Sequence, residues 1–411
     1  MKVDYIALSV PIFFILIGIE LAYAFYKKLK YYRFNDSISN LSQGIGSQIT
    51  GLFMKTALFF GYTYLFEHWR LFDLSKSIWI WIVLFIGVDF CYYWFHRMSH
   101  QVNALWAAHI VHHQSEEYNL TVALRQSWFQ SWFSWVFYLP LALIGFDPLM
   151  FVTLSAFNTL YQFWIHTRAI KSMGFLEHIL NTPSHHRVHH GSNPKYIDKN
   201  HAGSLIIWDK MFGTFQKEEE EVYYGITTPL ASWNPVWANV HYWAELWQTA
   251  KKTKRFSEKI KVFIKPPGWF PAHLGGFKSA PEIDTLNYRK YDSVYSKGLL
   301  RYVSIQFLVA LAAGSALLFL YYKMEMAIIV IAAVFSIFTL LTCGALLEHK
   351  KWVRFFEFTR LVSSLILLYW FRDLPFFTLF SISIATIQIS SLIWFYYLKT
   401  TSANVTETLK I

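Results

Sequence analysis

Long runs of apolar residues recur along this 411-residue chain and restrict its fold more than any other feature. A helix needs about 20 mostly apolar residues to cross a bilayer. Runs of roughly this length cover residues 3–26, 46–66, 78–95, 299–322, 327–347, 355–371 and 375–397. Two shorter runs, 132–144 and 149–165, flank a Gly-Phe-Asp-Pro turn and predict a helical hairpin. We therefore predict an all-α, polytopic integral membrane protein built as a helical bundle.

The composition agrees with a membrane protein. Charged residues make up 15% of the chain, whereas soluble domains contain about 25%. Aromatic residues reach 20%, which excludes a disordered chain. The two cysteines, Cys91 and Cys343, both lie in apolar runs, so a disulfide framework or a cysteine-based metal site is excluded.

Lysine and arginine near the ends of the apolar runs predict the orientation. Cytoplasmic flanks of membrane helices are enriched in these residues. The sequence places them after the first run and around the later ones, at Lys27, Lys28, Lys30, Arg33, Lys350, Lys351, Arg354 and Lys399. Counting crossings from these positions puts the long polar segment 167–298 in the cytoplasm. We predict a catalytic region over residues 1–298 and a four-span membrane module over residues 299–411.

A basic segment near the end of the polar region alternates cations with apolar residues. Residues 251–265 contain seven lysines and arginines, interleaved with Phe256, Ile260, Val262, Phe263 and Ile264. Such a pattern is typical of an amphipathic helix that lies on an anionic membrane surface. Nucleic acid is the weaker alternative, and we predict no nucleic-acid partner.

Histidine spacing carries the chemistry. Eleven of the 16 histidines fall between residues 96 and 190, in an H-x3-H box and two H-x2-H-H boxes. Helical residues three and four apart share a face, so each box presents several imidazoles to one point. A ninth candidate follows the hairpin. The predicted metal ligands are His96, His100, His109, His112, His113, His166, His186, His189 and His190.

The number of imidazoles predicts two metal ions. One ion rarely takes more than about six ligands, and catalysis needs open positions. Neutral imidazole suits iron, zinc and copper. The isolated histidines are predicted to be capping, interfacial or core polar residues; they are His68, His178, His201, His241, His273 and His349.

The boxes on a multi-span chain resemble the fatty acid hydroxylase superfamily, which includes sterol desaturases, C4-methylsterol oxidases and carotenoid hydroxylases. Flanking segments resemble the alkylglycerol monooxygenase family closely. These segments are residues 89–97, 105–109, 118–126, 161–167, 181–191, 197–200 and 205–215. The resemblance is strong over residues 89–237, and the C-terminal region shares only hydropathy with the family.

This resemblance implies a di-iron monooxygenase that uses O2 on a lipid substrate. In the alkylglycerol case, the carbon next to the ether oxygen is hydroxylated and a fatty aldehyde is released, with tetrahydrobiopterin as the electron donor. One position departs from the pattern of that family: the residue after His100 is usually glutamate, and here it is Gln101. Gln101 is therefore a predicted catalytic position that bears on the use of the pterin.

Carboxylates near the boxes are expected to orient the imidazoles. Asp89 lies seven residues before His96 within an apolar run, and a charged residue there is functional by default. Asp89 is thus the second predicted catalytic position, and Asp209 and Glu177 are weaker candidates. The charged residues around the second box predict either a substrate pocket or a solvated face; these are Glu116, Glu117 and Arg125.

Two alternatives remain open at this point. One is a hydroxylase or desaturase of the same superfamily that acts on sterols or fatty acyl chains. The other is a metal-dependent membrane transporter or sensor. Transporter sites usually lie near the membrane midplane, whereas every box here follows an apolar run or lies in the polar segment, which favours an enzyme.

Overall fold

The structure is a computed structural model that describes residues 5–285, 287–370 and 377–398. Lys399, which the orientation argument used, lies outside the described residues. The secondary structure that is described consists of helices and three isolated β-bridges, without a β-strand. This confirms the predicted all-α fold.

The chain forms two compact units. The first comprises Met1–Leu230 and Trp237–Lys290, and the second comprises Ala231–Val236 and Tyr291–Ile411. The boundary that we predicted between residues 298 and 299 lies a few residues beyond the change of unit after Lys290. The short segment Ala231–Val236 belongs with the second unit, although it is surrounded in sequence by the first.

Thirteen helices are described before residue 290. They are α1 (Tyr5–Tyr26), α2 (Phe34–Trp69), α3 (Ile78–Gln101), α4 (Asn103–Ala107), α5 (Ile110–His113), α6 (Leu120–Ala123), α7 (Gln130–Ser134), α8 (Leu139–Ile144), α9 (Pro148–Trp164), α10 (Pro183–His189), α11 (Ile207–Met211), α12 (Pro235–Lys252) and α13 (Phe256–Ile264). Short 3₁₀ turns cover Trp135–Tyr138, Gly174–His178 and Ala272–Leu274.

Four helices follow in the second unit, namely α14 (Lys297–Leu320), α15 (Met326–Leu347), α16 (Val353–Trp370) and α17 (Phe377–Tyr397), with a 3₁₀ turn at Tyr321–Lys323. A charged network is buried within this unit. Arg360 on α16 is fully buried and donates to both carboxylate oxygens of Glu357, at 2.8 and 2.6 Å. It also donates to Gln306 of α14 at 2.6 Å, so every charge in the pair has a partner.

Four described helices are long and apolar enough to cross a membrane: Leu8–Tyr26, Ile78–Gln101, Lys297–Lys323 and Met326–Leu347. The chain is therefore an integral membrane protein. Helices also form over the other predicted spans, at α2, α16 and α17, but whether these cross the membrane stays a prediction.

The predicted hairpin forms, with a broken first arm. The run 132–144 divides into parts of α7, a 3₁₀ turn and α8, whereas α9 is continuous. Gly145 ends α8 at a φ of +112°, and a Cβ there would lie 2.0 Å from the Phe72 carbonyl oxygen, so only glycine fits. Asp147 then caps α9 by accepting from the Leu149 and Met150 amides.

Helix α9 is central to the apolar core of the first unit. Its Met150 packs in one cluster with Leu84 and Val88 of α3. Its Phe163 packs in another with Phe13 of α1 and Leu120 of α6. This packing holds the C-terminal ends of α3 and α9 beside the short helices α4 to α6, where the histidine boxes lie.

Candidate metal centre

The nine predicted ligands are all buried and fall into two groups. We call the first the five-histidine group; it contains His96, His100, His109, His113 and His189. The second, the four-histidine group, contains His112, His166, His186 and His190. Within each group, one ring nitrogen from every residue lies within 4.8 Å of all the others. The structure therefore brings together the eight histidines that the box spacing selected and His166, which follows the hairpin.

Helical geometry explains how the boxes divide. His96 and His100 lie one turn apart at the C-terminal end of α3 and join the same group. His112 and His113, neighbours on α5, separate into different groups. His189 and His190 at the end of α10 separate in the same way. Consecutive helical residues point about 100° apart, so each short helix supplies ligands to both groups.

One loop holds the outer nitrogens of three rings in the five-histidine group. The Nδ1 atoms of His96 and His189 lie 2.7 and 2.9 Å from the carbonyl oxygens of His201 and Lys199. The Nδ1 atom of His100 lies 3.2 Å from Asp198 Oδ1. We call residues 198–201 the orienting loop.

The orienting loop has an unusual backbone that is fixed from several sides. Asp198 and Asn200 adopt left-handed φ values of +57° and +55°, which asparagine and aspartate tolerate better than most residues. The side-chain amide of Asn200 donates to the backbone carbonyls of His185 and Gln216 at 3.0 and 2.7 Å. Asp209 accepts from the His201 amide at 2.8 Å.

The four-histidine group is oriented by more local contacts. His166 Nδ1 lies 2.7 Å from the Gln162 carbonyl oxygen, one turn back at the end of α9. His112 Nδ1 lies 2.9 Å from the Arg125 carbonyl oxygen. Arg125 is buried and donates to the Val111 carbonyl at 2.6 Å, which ties it to the second box.

These outer contacts leave the unprotonated Nε2 atoms of several rings facing one another. A carbonyl oxygen only accepts, so each Nδ1 that contacts one carries the proton and the Nε2 of that ring is an acceptor. In the four-histidine group, the Nε2 atoms of His112 and His166 face each other at 3.3 Å. In the five-histidine group, those of His96 and His109 are 3.0 Å apart, with Gln130 Oε1 at the outer nitrogen of His109.

Such an arrangement fits a metal ion. Two nitrogens that bind one ion at right angles, each about 2.1 Å away, would be about 3.0 Å apart. The Nε2 atoms of His100, His189 and His190 are buried without a hydrogen-bond partner, which is costly unless an ion satisfies them. All nine donors are imidazoles, which suit iron, zinc and copper.

Burial keeps the rings in the neutral form that binds metal. Desolvation lowers the pKa of His109 to about 3 and that of His166 to about 4. It also lowers the pKa of His113 and His190 well below the usual range, and neighbouring imidazoles lower it further. At neutral pH, protons therefore do not compete with a metal ion for these ring nitrogens.

Comparisons with known proteins agree with this site. The fatty acid hydroxylase family profile matches residues 81–214, which include all nine candidate ligands. The chain is 42% identical over 368 residues to alkylglycerol monooxygenase of Homo sapiens, covering 89% of this chain and 82% of that protein. It is 45% identical over 312 residues to the Xenopus tropicalis enzyme, covering 75% and 70%. The chain belongs to the alkylglycerol monooxygenase family.

No solved structure matches the chain. An ornithine lipid hydroxylase of Rhizobium tropici is 28% identical over 128 residues, which cover 31% of this chain and 39% of that protein. As a member of the alkylglycerol monooxygenase family, the chain is an oxidoreductase and a lipid monooxygenase of the fatty acid hydroxylase superfamily.

Asp89 does not contact an imidazole, although we predicted that it orients one. Its carboxylate accepts from the Ser204 and Leu205 amides at 2.7 and 3.0 Å, and from Trp208 Nε1 at 2.9 Å. Asn158 of α9 donates to it at 3.1 Å. Asp89 therefore fixes the turn that follows the orienting loop, and any effect on the rings passes through that turn.

The other predicted positions lie close to the groups. Gln101 is the last residue of α3 and is half-buried, without a side-chain hydrogen bond to any described residue. Asp209 binds the His201 backbone, as described above. Glu177 accepts from Ser184 Oγ of α10 at 2.9 Å. Each of these roles stays a prediction.

The charged residues after the second box form a partly buried ion-pair network. Glu117 is buried and pairs with Arg33, Arg168 and Lys290 at 2.8, 2.9 and 2.7 Å. Glu116 lies 3.5 Å from Arg33. The alternative of a solvated face is therefore wrong for these two carboxylates.

His201 is the residue that sequence reasoning undervalued. Its ring is buried, both ring nitrogens are without a hydrogen-bond partner, and its centroid lies 4.9 Å from that of His100. Its sequence position predicts an isolated histidine, because it belongs to no box. The adjacent Asp198 and Asn200, residues suited to a left-handed loop, were the signal available in the sequence.

Proposed function

We propose that the chain hydroxylates the ether-linked carbon of an alkylglycerol with O2. One oxygen atom enters the C–H bond and the other leaves as water, with two electrons and two protons from tetrahydrobiopterin. The resulting hemiacetal breaks into a fatty aldehyde and glycerol. The substrate follows from the name of the relatives, and the electron donor from the family resemblance.

The observation that carries the proposal is the pair of imidazole groups with facing lone pairs. We propose that each group holds one iron ion, so that two ions are bound per chain. Iron would supply the activation of O2 that an unactivated C–H bond requires. The chain's own residues hold and orient the ligands: the orienting loop does so for the first group, and Arg125 and Gln162 for the second.

Burial supports an oxidation of this kind. All nine rings are buried, so water is excluded from the reacting atoms, which protects against side reactions. Two ligands lie at the end of α3, an apolar helix long enough to cross a membrane. An alkyl chain that lies in the bilayer beside α3 would therefore be close to His96 and His100.

The test is product analysis with purified protein reconstituted in lipid. We expect 1-O-hexadecylglycerol, O2 and tetrahydrobiopterin to yield hexadecanal, and metal analysis to give two irons per chain. The matched control is His273→Ala, because that ring is exposed and contacts the Lys252 carbonyl oxygen at 3.5 Å instead of either histidine group. Iron without ether cleavage would move the assignment to a sterol or fatty acyl substrate.

We also propose that both groups face the cytoplasm. The cationic segment after α1 lies beside the four-histidine group, because Arg33 pairs with Glu117 and the Tyr31 carbonyl accepts from Asn119 at 2.7 Å. Such cations favour the cytoplasmic side. A cysteine at exposed Ser172 should react with an impermeant maleimide only after permeabilisation of sealed cells; reaction in intact cells would contradict this orientation.

A further inference from the structure

The basic segment 251–265 forms the end of α12, a short connection and α13. It carries seven cations against one acid, Glu258. The cations are Lys251, Lys252, Lys254, Arg255, Lys259, Lys261 and Lys265. None of them forms an ion pair with a residue that the structure describes, so the positive charge of this surface is not neutralised from within.

Helix α13 is apolar on two different faces. One face belongs to the core, where Val262 is fully buried in a cluster with Ala107, Leu246 and Ala250. The other face points outward. Phe256, Ile260 and Ile264 recur every four residues along it and are 77%, 46% and 56% exposed. Since the core already takes the Val262 face, the second apolar stripe has no partner in this unit.

The neighbouring end of α12 extends the same character. Trp247 is 58% exposed, and the Lys251 ammonium lies 5.6 Å from the centroid of its ring. Tryptophan and lysine together are typical of the membrane interface, where the apolar body enters the lipid and the polar end remains in water.

We propose that this surface docks on anionic phospholipid at the bilayer interface. We call it the docking surface; it comprises the exposed stripe of α13, Trp247 and the seven cations. An apolar stripe flanked by unpaired cations fits a layer of anionic headgroups above acyl chains. Nucleic acid offers phosphates but no apolar layer for three aliphatic and aromatic side chains.

The docking surface is joined directly to the histidine site. Asn103, the first residue of α4, donates its side-chain amide to the Val262 carbonyl at 2.8 Å and its backbone amide to the Lys265 carbonyl at 3.0 Å. Helix α4 connects His100 to His109. Docking of α13 therefore holds the link between the first two boxes at the lipid surface, where a lipid substrate is found.

The experiment measures the depth of a spin label at position 260. The full chain carrying Ile260→Cys is labelled with a nitroxide, and both native cysteines are buried and do not compete. The protein is reconstituted in nanodiscs of phosphatidylcholine, with or without phosphatidylserine, and collisions with oxygen and with a nickel chelate are compared. A label at Glu219→Cys, in the exposed acidic run, is the matched control.

In discs that contain phosphatidylserine, we expect the label at 260 to collide less often with the nickel chelate and more often with oxygen. The ratio of oxygen to nickel collisions should be at least several-fold higher than in discs of phosphatidylcholine alone. The label at 219 should stay in water in both. Charge reversal by Lys254→Glu with Lys261→Glu should return the 260 label to water, while an unchanged thermal midpoint shows that the variant is folded.

Three results would overturn the proposal. The 260 label accessible to nickel in both lipids would mean that α13 does not dock. Equal shielding in both lipids would mean that charge plays no part. Shielding in detergent micelles at high but not low protein concentration would mean that a second copy of the chain covers the stripe. None of these readings depends on turnover, so they are independent of the proposed reaction.

Discussion

The two histidine groups have the same donor chemistry but are supported differently. Three rings of the five-histidine group are oriented by a single loop about 100 residues further along the chain than His96 and His100. The rings of the four-histidine group rely on carbonyl oxygens closer in sequence, and the Nδ1 atom of His186 is buried without a partner. The surrounding chain thus orients more of the rings in the first group than in the second.

Ligand number points in the same direction. An ion with about six positions would keep one open in the five-histidine group and two in the four-histidine group. We therefore expect the four-histidine group to be more sensitive to the loss of a ligand and closer to the exchange of small molecules.

The largest effect is expected from His112→Ala. The variant leaves three imidazoles in the four-histidine group, so iron should fall from two ions per chain to about one. Activity should fall by more than the roughly 100-fold that loss of an outer partner costs. Metal analysis and aldehyde release measure both, with His241→Ala as a control because that ring contacts the Ala238 carbonyl oxygen instead of either group. Full activity in the His112 variant would refute the two-metal assignment.

A smaller loss of iron is expected from His100→Ala or His189→Ala. Four ligands remain in the five-histidine group, so part of the first ion should be retained, although activity should still be lost. Iron release into a chelator, followed over time, compares these proteins with the His112 variant. If all three variants lost both ions at the same rate, the two groups would behave as one unit and the comparison would fail.

A weaker effect than that of any ligand substitution is expected from Asp198→Asn. Asparagine tolerates the left-handed backbone at this position, so the substitution removes the charge beside His100 while the loop is kept. We expect the affinity for iron to fall about 10-fold in the five-histidine group only. Chelator titration tests this, and Asp73→Asn, at an exposed ion pair with Arg70, is the control. The assigned contact would be contradicted if the substitution lowered the affinity for iron in the four-histidine group instead.

The smallest effect is expected from Gln101→Glu. The residue follows a ligand but points away from its face, so iron content should not change. If glutamate assists the reductant, the variant should gain tetrahydrobiopterin-dependent activity, by up to about 10-fold. Rates with and without the pterin measure this. If the natural protein showed strong pterin-dependent cleavage and the variant had the same rate, residue 101 would have no role in the use of the pterin.

Much of the site could be predicted from spacing alone. The i, i+3 and i+4 intervals selected eight of the nine clustered rings, the position after the hairpin selected His166, and the number of rings indicated two groups. The division of neighbours between groups was not foreseen, because it depends on the direction of each side chain in the fold. The orienting loop was missed for a different reason: Asp198 and Asn200 indicate a left-handed loop at most, and residue type does not show that the carbonyl oxygens of Lys199 and His201 contact imidazoles.

The fold was predictable to a similar extent. Apolar length predicted seven spans, of which four form described helices that are long and apolar enough to cross a membrane, and the Gly145 turn was visible in the sequence. The broken arm before it was not predicted, although Pro140 lies at the start of α8 and proline disfavours a continuous helix at that point. Asp89 shows the same limit, since an acid within an apolar run has a partner that only the tertiary structure defines.

The splitting of His112 from His113 and of His189 from His190 has a consequence for how this site can change over time. Two short helices each act as a spacer of fixed length, because the offset between the groups is set by the turn of the backbone and not by flexible side chains. Inserting or deleting a residue in either helix would displace both groups together. Neither centre can be remodelled alone by a change in the length of α5 or α10, so such a change in these two helices affects both centres as one.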